Sequence, residues 1–351
     1  MNGVKLFSLA RAAVEKLPEP VGRGVFSTVG TLLGASGYGP VRQLRANQAR
    51  IEPGLGPVGS RRLSARAMRS YFRYYYECFR LSVLTHEQIS ARVSVNGIEV
   101  LRQDLDSGRS VTGALMHAGN WDLAGAWAVR ELAPVHTLAE KLEPPELYED
   151  FLAFRTGLGM TIYPVVKGGG SLGKLEEDMA TIACFTPLLA DRDLTASGVE
   201  VTFFGHSMMV APGPALLAIR TGCPIYPVFS HYERIRDRGR RARAGTSWGM
   251  RLTVGQPVHA ETTEESEAAD RARDIARMSQ EWISQFEPWI GRHLADWHML
   301  QKVFVADLDP ERLARARARA EGGRAGVEAG ERAGAERPAT ASGRSEAGDG
   351  D

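Results

Sequence analysis

The amino-acid sequence predicts an α/β sandwich entered through a helical, basic N-terminal segment. Three observations carry that reading. From about residue 93 onward, short apolar runs alternate with helix-length stretches, the pattern of strands and helices packed in layers. The chain has 351 residues, 43% of them hydrophobic and 24% charged, enough to bury a sizeable core in one domain or two. No run of 18 apolar residues occurs, so no segment reads as a bilayer-spanning helix.

Taken in order, residues 3–17 (GVKLFSLARAAVEKL) pattern as an amphipathic helix stopped by Pro18 and Pro20. Arg11, Glu15 and Lys16 interrupt it too often for a secretory signal core. Residues 21–36, apolar and punctuated by glycine, read as a second helix against lipid or core. Residues 60–85 form a strong helix with Tyr71, Tyr75, Phe79 and Leu81 along one side, the usual dress of a core-facing stripe. Strands are expected at 93–95, 111–116, 135–139, 161–166, 186–190, 199–204, 224–230 and 249–254. Helices are expected at 121–132, 145–157, 171–183, 213–221 and 267–291. Between the last two strands, residues 232–248 hold Arg234, Arg236, Arg238, Arg240, Arg241 and Arg243. That stretch reads as an exposed excursion, either solvated or attracting a phosphate. From about residue 321 the chain is Gly, Ala, Glu and Arg with almost no large apolar side chain, the composition of a disordered tail. The expected division is therefore 1–85, 86–310 and 321–351.

The net charge of +1 hides an asymmetry: residues 1–80 carry 13 Lys and Arg against 4 Asp and Glu, the remainder 30 against 38. A basic first quarter with aromatic and apolar residues between its charges suits an anionic membrane surface, although a solvated Arg-rich helix face accounts for the same charges. No zinc-finger, RNA-recognition or helix-turn-helix pattern is present, so nucleic acid is not an expected partner. Cys78, Cys184 and Cys223 are scattered and form no CxxC, which favours a reducing, cytosolic setting.

The chemistry concentrates in ALMHAGNWDLAGAW, residues 114–127. His117 ends an apolar run and Asp122 follows it by five residues. On one helix that pair would sit about 140° apart, so the two side chains can meet only if His117 lies in a loop and Asp122 in the first turn of the next helix. Gly119 and Asn120 supply the break, and the helix dipole favours a carboxylate in a first turn. An imidazole at a strand end, oriented by a carboxylate, is what a general base needs to take a proton from a hydroxyl. A polar pair satisfied by one another is the plainer reading of the same spacing.

The sequence holds other constellations beside it. Asp191, Arg192 and Asp193 form a turn at a strand end, where α/β sheets place ligands. Glu200 is an acidic residue in the apolar strand GVEVTFFG, either paired and used or exposed at an edge. Arg155, on the helix LYEDFLAFRTGLG, suits phosphate recognition or a surface ion pair with Glu149 or Asp150. Gly168-x-Gly170-x-x-Gly173 follows a strand and precedes a helix, yet it lies mid-chain with no repeated βαβ before it, so a flexible loop is preferred to a dinucleotide site. Gly205-His206-Ser207-Met208-Met209 lacks the last glycine of a nucleophile elbow. His117, His136, His206, His231, His293 and His298 show no metal-ligand spacing, so no metal and no redox cofactor is expected.

The His-x4-Asp element resembles the signature of the glycerolipid acyltransferases. RSYFRYYYECFRL (69–81), MHAGNWDLAGAW (116–127), LLADRDLTASGVEVTFFG (188–205), APGPALLAIRTGCPIYPVF (211–229) and DWHMLQKVFVADL (296–308) narrow this. Together they resemble the branch of lipid A biosynthesis (lauroyl/myristoyl) acyltransferases, and within it the actinobacterial phosphatidylinositol mannoside acyltransferases, from about residue 3 to 310. The resemblance implies a central mixed sheet flanked by helices, with N-terminal helices that associate with membrane. It implies transfer of a fatty acyl chain, palmitoyl by expectation, from acyl-CoA as co-substrate to a mannose hydroxyl of phosphatidylinositol mannoside. His117 would be the base and Asp122 its orienting carboxylate. Glu200 would hold acceptor sugar hydroxyls or support His117, Arg155 would face the cleft as a phosphate ligand, and Arg192 is a further substrate-binding candidate. Asp296-Trp297-His298 would close the cleft, and the aromatic stripe could wall an acyl tunnel. The expected setting is peripheral, at the cytoplasmic face of the inner membrane, as a monomer. A lipid A-type acceptor and a catalytically inactive lipid-binding protein are the alternatives.

Overall fold

Two parallel neighbours inside a five-stranded sheet, β2 (Val111–Leu115) and β5 (Phe185–Leu189), set the position of the candidate site. The computed structural model describes residue 14 and residues 17–140, 145–165, 170–193, 198–311 and 313–314. Most of the helix expected at 3–17, the glycines at 168 and 170 as side-chain environments, and the tail from 321 lie outside the described residues.

Helices α1 (Glu19–Ala35), α2 (Gly39–Ile51) and α3 (Pro57–Leu81) precede the sheet. α1 lies directly on α3 because its contact positions lack a side chain: a Cβ on Gly30 would stand 2.7 Å from the Met68 carbonyl oxygen, and one on Gly34 2.6 Å from the Ala65 Cα. After α3 come α4 (His86–Arg92), β1 (Val93–Asn96), α5 (Glu99–Asp106), β2, α6 (Trp121–Glu131), β3 (His136–Glu140), α7 (Pro145–Gly157), β4 (Thr161–Val165), α8 (Gly170–Thr181) and β5. The chain continues through β6 (Val199–Phe203), β7 (His206–Val210), α9 (Gly213–Thr221), β8 (Ile225–Arg234), α10 (Arg238–Ala244), β9 (Trp248–Val254), α11 (Ala268–Ser284) and α12 (Glu287–His293).

The central sheet runs β1-β9-β8-β2-β5 and is mixed, with β8 and β9 antiparallel and the other neighbours parallel. The parallel pair β3–β4 joins its β5 edge through a bridge between Val135 and Phe185. Side chains alternate across the pleat. Ala114, Met116, Ile225 and Phe229 pack with Ala218 of α9 and Met278, Trp282 and Ile283 of α11. Val111, Leu115, Tyr226 and Val228 pack on the other face with Leu101 and Leu105 of α5 and Leu123 and Trp127 of α6. Each large apolar side chain so buried stabilises the fold by roughly 1.5–3 kcal/mol.

The strand and helix expectations hold to within a few residues, with instructive departures. The helix expected at 60–85 ends at Leu81, since Thr85 caps α4 with its side chain on the Gln88 N–H. The one expected at 267–291 is two helices, the second with Pro288 in its first turn. β7 was not anticipated. It pairs antiparallel with β6 across a two-residue turn in which Phe204 and Gly205 both take positive φ, 49° and 73°, the primed geometry that a tight hairpin needs. The arginine-dense excursion is partly built into the fold: β8 runs on to Arg234, and Arg240 donates to the Ala91 carbonyl and pairs with Glu233 at 2.8 Å. Arg236, Arg238, Arg241 and Arg243 are exposed as expected. The sequence pattern does not predict helices α2, α4, α5 and α10.

Candidate active site

Sheet register assembles the site. Leu115 of β2 is paired with Leu189 of β5, and the Ala190 N–H donates to the Leu115 carbonyl at 2.9 Å, carrying the ladder one step further. His117 and Asp191 each lie two residues past that last pair. They therefore emerge side by side at the carboxyl ends of parallel strands, the usual ligand-facing edge of an α/β sheet. His117 Nδ1 stands 2.5 Å from Asp191 Oδ1, and the His117 backbone N–H donates to Oδ2 at 3.0 Å. Trp297 donates its Nε1–H to the same Oδ2 at 2.9 Å. Burial alone would raise the Asp191 carboxyl, but the adjacent imidazole and these N–H donors more than offset it and hold it below its ordinary value. An ionised carboxylate can only accept, so Nδ1 carries the proton and Nε2 presents its lone pair. Among the described residues Nε2 makes no hydrogen bond, and the side chain keeps 17% of its exposure.

The loop that carries His117 is fixed from several sides. The His298 N–H donates to the His117 carbonyl at 2.7 Å, the Gly119 N–H to the Asp296 carbonyl at 3.0 Å, and Ser230 Oγ to the Ala118 carbonyl at 2.5 Å. Gly119 takes φ +61°, and a Cβ there would stand 2.8 Å from Ser230 Oγ and 2.9 Å from its backbone. Gly119→Ala is accordingly expected to lower stability by at least about 2 kcal/mol, measured by chemical denaturation, because left-handed strain and a backbone clash add.

Asp122 occupies the first turn of α6 as expected, but it does not hold His117. Its Oδ2 accepts from Tyr74 Oη at 2.8 Å and its Oδ1 from Arg155 Nε at 2.7 Å. No hydrogen bond joins it to His117, whose partner is Asp191 instead. The reason is local: Asn120 caps α6 by accepting from the Leu123 N–H at 2.9 Å, and the helix so started directs Asp122 toward α3 and α7. Asn120 Nδ2 in turn donates to Glu77 at 3.0 Å, and Glu77 pairs with Arg23 at 2.9 Å. Thus α3 brings Ser70, Tyr74, Glu77 and Cys78, at helical spacing, onto one polar wall. The Tyr74 ring packs 4.1 Å from that of Trp121, which meets the His117 ring edge-on at 5.6 Å. Burial and the neighbouring Asp122 charge push the Tyr74 hydroxyl well above its ordinary pKa, so it stays protonated and donates.

The remaining candidates separate. Arg155 pairs with Asp122, neither with Glu149 nor with Asp150, and that carboxylate more than offsets the burial that opposes its charge. Its Nε is thereby committed within the protein. Arg192 follows Asp191 directly; its Nε is buried without a partner among the described residues, and its charge reaches the Tyr71 hydroxyl. Glu200 lies on the exposed side of β6, opposite Met209, and makes no hydrogen bond to His117. Asp296-Trp297-His298 does close this end of the cleft: Ser70 Oγ donates to Asp296 Oδ1 at 2.6 Å and stands 3.0 Å from His298 Nε2. Burial, with His117 and Arg73 nearby, drives His298 down to about 3, so it is neutral. Sequence reasoning placed Asp191 in a ligand-facing turn and Trp297 in the closing segment but made neither a partner of His117's network, and it missed Tyr74. Only Asp191 left a signal, since Leu189-Ala190-Asp191 matches Leu115-Met116-His117 as an aliphatic strand end followed two positions on by a polar group.

Known proteins resemble this chain over most of its length. Residues 4–305 match the family described as bacterial lipid A biosynthesis acyltransferase. The chain is 37% identical over 303 residues to the phosphatidylinositol mannoside acyltransferase of Mycolicibacterium smegmatis, covering 86% of this chain and 91% of that one. It is 33% identical over 310 residues to the protein of the same name from Mycobacterium tuberculosis, covering 88% and 90%. With a match that spans the sheet, the His117 loop and the closing Asp296-Trp297-His298 segment, the chain belongs to the bacterial lipid A biosynthesis acyltransferase family.

Proposed function

We propose that this protein transfers a fatty acyl chain, palmitoyl by expectation, from acyl-CoA to a mannose hydroxyl of phosphatidylinositol mannoside. The observation that carries the reading is the imidazole of His117, tautomer-fixed by a buried carboxylate with its Nε2 lone pair open. The names of the relatives support the acceptor. Nε2 removes the hydroxyl proton as the oxygen attacks the thioester carbonyl. The C–S bond then breaks, and the leaving thiolate takes the proton back from the imidazolium. Asp191 stabilises that imidazolium. Tyr74, Asp122 and Arg155 shape the wall beside it, and the unpartnered Arg192 is the better placed of the two arginines for a phosphate. Glu200 is assigned to the acceptor side through its solvent-facing position. Leu115, Trp121, Gly125, Phe185, Val228 and Leu252 line a narrow apolar seam between the sheet and α6.

Purified protein incubated with radiolabelled palmitoyl-CoA should label phosphatidylinositol mannoside. Label on a lipid A precursor instead would overturn the acceptor, and absence of thioester turnover would overturn the enzyme reading.

The same reading places the protein peripherally on the cytoplasmic face of the membrane. Among the described residues no helix is long and apolar enough to cross a membrane. On α1, Val21, Val25, Val29 and Leu32 recur at i, i+4, i+8 and i+11 and are 51, 51, 46 and 68% exposed, an unburied apolar stripe. Val25→Glu with Leu32→Glu is expected to weaken sedimentation with anionic vesicles at least about tenfold while circular dichroism stays unchanged. Unaltered sedimentation would remove α1 from the membrane contact.

A further inference from the structure

Away from His117, a cavity of about 360 Å³ opens between α1, α3 and the β8–β9 edge, lined by Arg23, Phe26, Arg69, Arg73, Arg234 and Trp248. A second, of about 300 Å³, shares Arg69, Arg73 and Trp248 with it and adds Arg66 and Arg292. Arg66, Arg69 and Arg73 recur at i, i+3 and i+7 on α3, whereas Tyr74 and Cys78 of the same helix turn toward Asp122.

Arg69, Arg73 and Arg234 are held close to one another with no ion pair among the described residues. Arg73 and Arg234 both stack on Trp248, with Cζ 3.4 and 3.8 Å from its ring centroid, and Arg73 also lies 4.7 Å from the Tyr232 ring. Neither Arg69 nor Arg73 makes a hydrogen bond or ion pair among the described residues. Arg23 pairs with Glu19 and Glu77, yet its Nη2 is buried with no partner. The carboxylates nearby are engaged elsewhere: Glu19 and Glu77 on Arg23, and Asp296 on Ser70 and the Tyr232 N–H. The second cavity is also lined by Glu52 and by the engaged Asp296. Converging guanidinium groups repel one another, and that cost is recovered when an anion with several acceptor oxygens enters between them.

We propose that this cavity is a binding site for a phosphate group, gripped by Arg69 and Arg73 and backed by Arg23 and Arg234, and separate from the cleft at His117. The phosphate arrives either free, as a soluble phosphomonoester, or on an anionic lipid headgroup. The inference stands whether or not the acyltransferase chemistry proposed above is right.

Calorimetric titration of the full-length protein with glycerol 3-phosphate, and co-sedimentation with phosphatidylglycerol vesicles, separate the two sources. Arg69→Gln with Arg73→Gln should weaken whichever probe binds by at least about tenfold. Arg241→Gln with Arg243→Gln removes the same charge from an exposed helix and should change affinity less than twofold. His117→Ala should also retain binding. Should loss of stacking on Trp248 unfold the double variant, Arg69→Gln alone, an exposed side chain with no protein partner, gives the same reading with a smaller loss. Equal loss in the Arg241/Arg243 variant, or no difference between wild type and the Arg69 variants for either probe, overturns the site.

Discussion

His117→Ala is expected to lower kcat for acyl transfer by about 10²–10⁴-fold, the range that a positioned general base supplies. The upper end is expected here because no neighbour can take over. His298 is the nearest other imidazole in the network, but it is buried, held down to about 3, and engaged with Ser70. The fold should survive. His117 bonds through its side chain to Asp191 alone, so the loss leaves Asp191 with its backbone and Trp297 donors, at a cost of about 1–3 kcal/mol. Initial rates and thermal denaturation measured together read this out. Activity within tenfold of wild type in folded protein would end the assignment of His117 as base.

Asp191→Asn is expected to approach that loss without emptying the site. The His117 N–H and the Trp297 Nε1–H both donate to Oδ2, so the amide oxygen of an asparagine must take that place. Its NH₂ then faces His117 Nδ1 and donates to it. The imidazole proton is driven to Nε2, and the lone pair that should meet the hydroxyl is gone. A fall in kcat of about 10²–10⁴-fold with nearly unchanged KM is the expected signature of a wrong tautomer. Asp122→Asn reads a different property, since it breaks the buried pair with Arg155 and should cost about 3–5 kcal/mol of stability. If Asp191→Asn kept full kcat while Asp122→Asn lost it without unfolding, the working carboxylate would be Asp122 after all.

That contrast also marks what sequence could convey. The strand ends were legible because β2, β5 and β8 are continuous apolar runs bounded by polar residues, and His117 in a loop with Asp122 in a first turn followed from 3.6-residue periodicity. Which carboxylate reaches His117 depends on the lateral pairing of Leu115 with Leu189, and register between strands 74 residues apart leaves no trace in local pattern. Tyr74 escaped, and Trp297 was read as a closing residue without its bond to Asp191, for the same reason: each arrives from a distant segment. β7 escaped because Ser207, Met208 and Met209 have weak strand preference, and only the Phe204-Gly205 turn forces the chain back. Arg155, expected from the resemblance to face the cleft as a phosphate ligand, is instead paired with Asp122, a partner that helical spacing hid behind Glu149 and Asp150.

The Asp191 carboxylate ties together residues separated by 74 and 106 positions along the chain. Closing loops of that span is an entropic expense met late in folding, after local helices have formed. Helix content recovered on refolding should therefore run ahead of enzymatic competence, and a nascent chain lacking Trp297 has its sheet but not its finished base. A chain that ends before Trp297 is accordingly expected to refold its helices without gaining acyl-transfer activity.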